Sequence, residues 1–107
     1  MTQALEPYLK EAEQAIRDFE FAPGLTVTAR LHDNPAALGL LGSADGPRAL
    51  EYLASGADLQ AEGSSWFLRR ALRSLNDRQN AGHLPQVGSL DDPEREYLRP
   101  PDRYELG

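Results

Sequence analysis

The chain's only tryptophan, Trp66, is followed closely by Arg69, Arg70 and Arg73. Guanidinium groups read carboxylates and phosphates through planar, paired hydrogen bonds, and an indole adds apolar area. The set therefore points to recognition rather than to bond-making. At about 100° per residue, Phe67, Leu68, Ala71, Leu72 and Leu75 share one helical face. Arg69, Arg70 and Arg73 fall on the opposite face, and Trp66 falls with them. A partner protein would use Trp66 as an anchor and the arginines as an anion-reading edge; the same groups also suit stacking on a nucleic-acid strand or clamping a phosphate. The intramolecular alternative lays the Arg69 and Arg70 stems on the indole, pairs Arg73 with Asp77, and turns the remaining charge toward Glu11, Asp18 or the acidic C-terminal segment.

Catalytic chemistry has thinner support. His32 and His83 are the only histidines and there is no cysteine, so a metal site would need both imidazoles plus carboxylates. His32-Asp33 is a suggestive pair, because a carboxylate can orient an imidazole. Sequence neighbours usually point apart, however, and the pair reads as a strand-end histidine followed by a helix cap. None of the serines sits in a Gly-x-Ser-x-Gly elbow, and no glycine cluster carries the Lys-Ser/Thr of a phosphate loop. Asp91-Asp92 lies among prolines, where burial to tune a carboxyl group is hard to arrange. The sequence predicts no catalytic residue, no metal site and no cofactor.

Charge places these groups in context. The net charge is −6, yet residues 64–80 hold four arginines and one aspartate. That segment is thus +3, leaving −9 for the rest. An anionic protein does not bind nucleic acid unselectively, so nucleic acid is the lesser partner. The N-terminal residues have no basic stretch, and no apolar run reaches the length of a membrane span. With cysteine absent, the expected setting is the cytoplasm, with no membrane partner.

The elements that must position these residues follow from periodicity. Leu5, Leu9, Ala12, Ile16 and Phe19 step at helical spacing, Pro7 suits a first turn, and Pro23-Gly24 makes a stop, so residues 7–20 read as a helix. Residues 25–32 alternate: Leu25, Val27, Ala29 and Leu31 face one way, with Thr26, Thr28, Arg30 and His32 on the other, as in a half-buried strand. Residues 33–56 read in two ways. In the preferred one they form short helical turns, with Pro35 opening one, Asp45 capping a second over 47–55, and Gly56 closing it. In the other, Asp45-Gly46 and Ser55-Gly56 are hairpin turns and the region is a small antiparallel sheet.

Ala49-Leu50-Glu51-Tyr52-Leu53-Ala54-Ser55-Gly56-Ala57-Asp58-Leu59 resembles the second helix and following loop of an ankyrin repeat. The opening Thr-Pro-Leu-His type signature is missing, and there is no second copy at a period of about 33 residues, so no repeat array is read. After residue 82 four prolines and six acids argue against long regular structure. Tyr97, Leu98, Tyr104 and Leu106 nevertheless give that segment apolar anchors.

Together these features predict a helix-rich α+β chain: helix, strand, short helical turns, long helix, extended acidic arm. The alternative is a helix, a small antiparallel sheet and a helix. Residues 1–82 form one domain and 83–107 a Pro-rich acidic arm. The expected role is non-catalytic: a regulator, inhibitor or assembly factor that binds another protein, or a second copy of itself. The expected contact residues are Trp66, Arg69, Arg70, Arg73, Tyr97, Leu98 and Tyr104. The alternative is a nucleic-acid-binding regulator that uses the basic helix at 64–80.

Overall fold

The first helix, α1 (Glu6–Asp18), follows a 3₁₀ turn at Thr2–Leu5, carries Pro7 in its opening turn and ends where Phe19 becomes extended. The computed structural model describes residues 2–101. The alternating segment forms strand β1 (Thr26–His32). Beyond it the structure departs from the preferred sequence reading. Residues expected as short helical turns form two strands, β2 (Ala37–Ala44) and β3 (Arg48–Ser55).

Pairing explains the difference. Ala, Leu and Glu at 49–51 and 53–54 favour helix by only tenths of a kcal/mol each. β2 lies between β1 and β3 and is hydrogen-bonded to both in antiparallel register. Tertiary burial of Leu38, Leu40, Leu50 and Tyr52 outweighs that local preference. Asp45-Gly46 is the hairpin turn of the alternative reading, with Gly46 at φ +144°. Ser55-Gly56 is not a turn: the Ser55 hydroxyl accepts the Asp58 N–H at 3.1 Å and caps helix α2 (Gly56–Glu62). The ankyrin-like stretch is therefore split between a strand and the helix after it.

Helix α3 (Ser65–Ala81) ends at Gly82, whose φ of +71° lets its N–H reach the Arg78 and Gln79 carbonyls. The chain then returns along the start of β3, where the Ala49 N–H meets the Pro85 carbonyl and the Val87 N–H meets that of Pro47. Within the expected arm, strand β4 (Glu94–Tyr97) lies parallel to β3. The described residues thus hold three α-helices and one mixed sheet in the order β1-β2-β3-β4, an α+β fold.

The helices pack against the sheet and α1 also touches α3. Val27, Leu38, Leu40, Leu50, Tyr52 and Ala54 meet the Phe67, Leu68, Ala71, Leu72 and Leu75 stripe of α3 in one core. Gly42 permits the close approach, since a Cβ there would stand 2.7 Å from a Leu75 methyl. The buried Tyr52 is satisfied by Ser74 Oγ at 2.6 Å and by Arg78 Nε at 3.0 Å. No helix of the described residues is long and apolar enough to cross a membrane.

Candidate functional site

Where α1 and α3 meet, a groove of ≈ 530 Å³ remains open. Ala15 of α1, Phe19 just after it, and Leu68 and Leu72 of α3 supply its apolar walls, together with Trp66. Arg69, Arg70 and Arg73 line it from α3 and Asp18 from α1. Pro101 also lines it. The three arginines are exposed, so their charge faces water while their stems border the apolar walls.

The structure thus brings Trp66, Arg69, Arg70 and Arg73 together around one concavity. Trp66 is placed differently from the helical projection. It is 5% exposed and belongs to the core. Its indole N–H donates to the Gly63 carbonyl at 2.7 Å, and its ring meets Phe67 edge-on at 5.8 Å. The reason is its position in the first turn: the side chain folds back over the preceding loop, where the Gly63 carbonyl takes its N–H. Nearby, Ser64 donates to Glu11 and so ties the start of α3 to α1.

The remaining expected contact residues are dispersed. Leu98 is half-buried against the core, and its N–H bonds the Leu53 carbonyl at 2.9 Å. Tyr97, 49% exposed, is in register with Leu53 on the sheet face away from the helices, not over Trp66. Tyr104 and Leu106 lie outside the described residues. The following chain does approach the groove: Arg70 donates to the Arg99 carbonyl at 2.6 Å, and Pro101 reaches the lining.

A second constellation occupies the helix-free sheet face, and the sequence reading had missed its centre. Glu51 of β3 is fully buried although charged. Its Oε2 accepts from Arg30 Nε at 2.7 Å and lies 2.8 Å from His32 Nε2; its Oε1 accepts from Arg30 Nη2 and Arg95 Nε, both at 3.0 Å. β1, β3 and β4 each contribute, and β2 contributes an absence. A Cβ on Gly39 would collide with the Glu51 carboxylate and stand 3.1 Å from the imidazole. Glycine there lets the carboxylate lean across β2 to β1. Burial pushes the Glu51 carboxyl up, but hydrogen bonds from Arg30 and His32, with the adjacent positive charge, override it and bring it down to about 2. The Glu51 hydrogen bond in turn holds Arg30 above its usual value.

His32 ends β1, as the sequence reading had it, and its carboxylate neighbour is Glu51 across the sheet rather than Asp33. An ionised carboxylate only accepts, so His32 Nε2 carries the proton of that bond. With all four acceptor positions used, Glu51 has no lone pair left for proton abstraction or metal binding. His83 is exposed beside Asp77 and Arg78 of α3, while His32 lies on the helix-free face. Arg30 in a strand beside His32 was the available signal, but it needed Glu51 to be read as strand. Phe19 was legible as helix face, not as groove.

No family model, characterised protein or solved structure matches this chain.

Proposed function

We propose that this chain is a small non-catalytic cytoplasmic protein that acts by binding another protein, as a regulator, inhibitor or assembly factor. One observation carries this reading: the α1–α3 groove combines apolar walls with three exposed arginines on its border. Such a surface suits a short segment that presents apolar side chains flanked by carboxylates. The Glu51 cluster supports the non-catalytic half of the reading, since its carboxylate is saturated by cations.

The test separates docking from folding. Arg69→Glu with Arg73→Glu inverts the border while touching exposed positions only. Partner capture by affinity purification from the native host should fall at least tenfold, with the thermal midpoint within about 2 °C of wild type. Unchanged capture would remove the groove from the reading. The exposed arginines also favour a second reading, nucleic-acid binding. It requires measurable binding at low ionic strength that weakens steeply with salt.

A further inference from the structure

We infer that a second concavity, an open hollow along α3 from Arg70 to its C-terminal end, binds a phosphate monoester group. Arg70, Arg73, Ser74, Asp77, Arg78 and His83 line it around a volume of ≈ 430 Å³. The hollow adjoins the groove and shares Arg70 and Arg73 with it, but it needs no protein partner to be a site.

Three observations converge on that ligand. The first is unspent charge. Among the described residues, ion pairs gather on Glu51 and Arg95, and none involves Arg70, Arg73 or Arg78. The Arg73–Asp77 pair expected from their spacing is not formed. Three guanidiniums against the single carboxylate of Asp77 leave the hollow at +2, before any charge on His83. A phosphate monoester carries about −1.5 to −2 at neutral pH and matches that charge. The second is donor number. One guanidinium satisfies a carboxylate through a paired contact. Arg73 has every donor free, Arg78 uses only Nε and Arg70 only Nη1, and His83 donates from at least one ring nitrogen in either tautomer. So many donors suit the three terminal oxygens of a phosphate better than a carboxylate's two. The third is preorganisation. Arg78 is pinned by the hydroxyl of the buried Tyr52, itself held by Ser74, and Arg70 by the Arg99 carbonyl. The left-handed turn at Gly82 lets the His83 N–H reach the Arg78 carbonyl at 2.7 Å and brings the imidazole to the hollow. Much of the cost of ordering these long side chains is thus met before a ligand arrives. The negative end of a helix opposes an anion, but the Gly82 and His83 N–H groups occupy the Gln79 and Arg78 carbonyls, which leaves the guanidiniums to set the local field.

Titration of the isotope-labelled full chain with methyl phosphate, followed by nuclear magnetic resonance at constant ionic strength, tests the site. At about pH 7.5 the probe is a dianion. The Nε–H signals of Arg73 and Arg78 and the amide of His83 should move along one saturable curve, half-complete at about 1 mM. The Nε–H signals of Arg17 and Arg48, outside the hollow, should stay in place. Dimethyl phosphate, with one charge fewer, and acetate should each bind about tenfold more weakly. Arg73→Gln with His83→Gln should weaken methyl phosphate about tenfold and leave the thermal midpoint within about 2 °C of wild type. Arg69→Gln, which alters the groove but not the hollow, should change nothing. Shifts that rise linearly and alike with all three anions are ionic screening and overturn the site, as does a double variant that binds as wild type does. An oligonucleotide without terminal phosphates that outcompetes methyl phosphate also overturns it, because the ligand is then a diester polymer. Two sources of the monoester separate in a final arm. A phosphoserine peptide with flanking leucines that binds at least about tenfold more tightly than methyl phosphate places the group on a protein segment that also enters the groove. Equal affinity places it on a small molecule.

Discussion

Glu51 shows how one charge can be buried on the face of an open sheet. Its shell supplies four hydrogen bonds, from Arg30, His32 and Arg95, and those bonds outweigh the cost of desolvation. The folded carboxyl, at about 2, lies below its unfolded value of 4.5. Its contribution is therefore fully present above pH 4.5 and is lost as pH falls toward 2. That amounts to about 3 kcal/mol. Urea melts between pH 6 and pH 3 should show this acid limb in the wild type, and Glu51→Gln should flatten it. Gly39→Ala should cost about 1–3 kcal/mol by pushing the carboxylate off its partners. In a Glu51→Ala background the same change should cost much less, and a double-mutant cycle of melting free energies checks this. The sequence concealed this residue because Glu51 stands among good helix formers, where a glutamate reads as solvent-facing. Its partners are 21, 19 and 44 positions away, beyond the range of any local pattern.

At the scale of elements, legibility followed the strength of periodicity. The apolar stripes of α1 and α3 and the alternation of β1 were plain, because each sets a single face against a single layer. β2 and β3 were not. Ala37, Leu38, Leu40, Ala49, Leu50, Leu53 and Ala54 are buried on both sides of the sheet, and a strand buried on both faces loses its alternation. β4 was hidden for the opposite reason: all four residues are exposed, and only its hydrogen bonds to β3 make it a strand. Packing in α3 gives a quantitative expectation. Leu72 is 4% exposed between the sheet and α1, and Leu72→Ala should lower stability by about 2–5 kcal/mol in a denaturant melt. Ser55→Ala removes the α2 cap and should cost about 1 kcal/mol in the same assay.

Across the whole molecule, charge is segregated. The helix-free face is neutralised internally around Glu51, whereas the α3 arginines are left on the border of an apolar groove. The basic helix was visible in the sequence as composition. The groove was not, because it depends on where Phe19 and Ala15 fall when α1 packs beside α3. The Trp66 placement likewise needed the loop before α3, where the Gly63 carbonyl accepts the indole N–H. The Arg69→Glu, Arg73→Glu comparison of capture against melting belongs at this scale, since it asks whether the surface serves the fold or something outside it.

β4 also bears on the order in which the molecule opens. The β1–β2–β3 meander closes through short connections, while β4 joins β3 only after the whole of α2 and α3 has been traversed. Its four exposed residues bury little, and it has a long loop to close. Amide hydrogens at 94–98 should therefore exchange before those of β2. Each such excursion withdraws Arg95 from Glu51 and also slackens the Arg99 tether at Arg70. Fraying at one sheet edge is thereby transmitted to α3, where Arg70 loses its carbonyl partner and the border of the groove gains a free guanidinium.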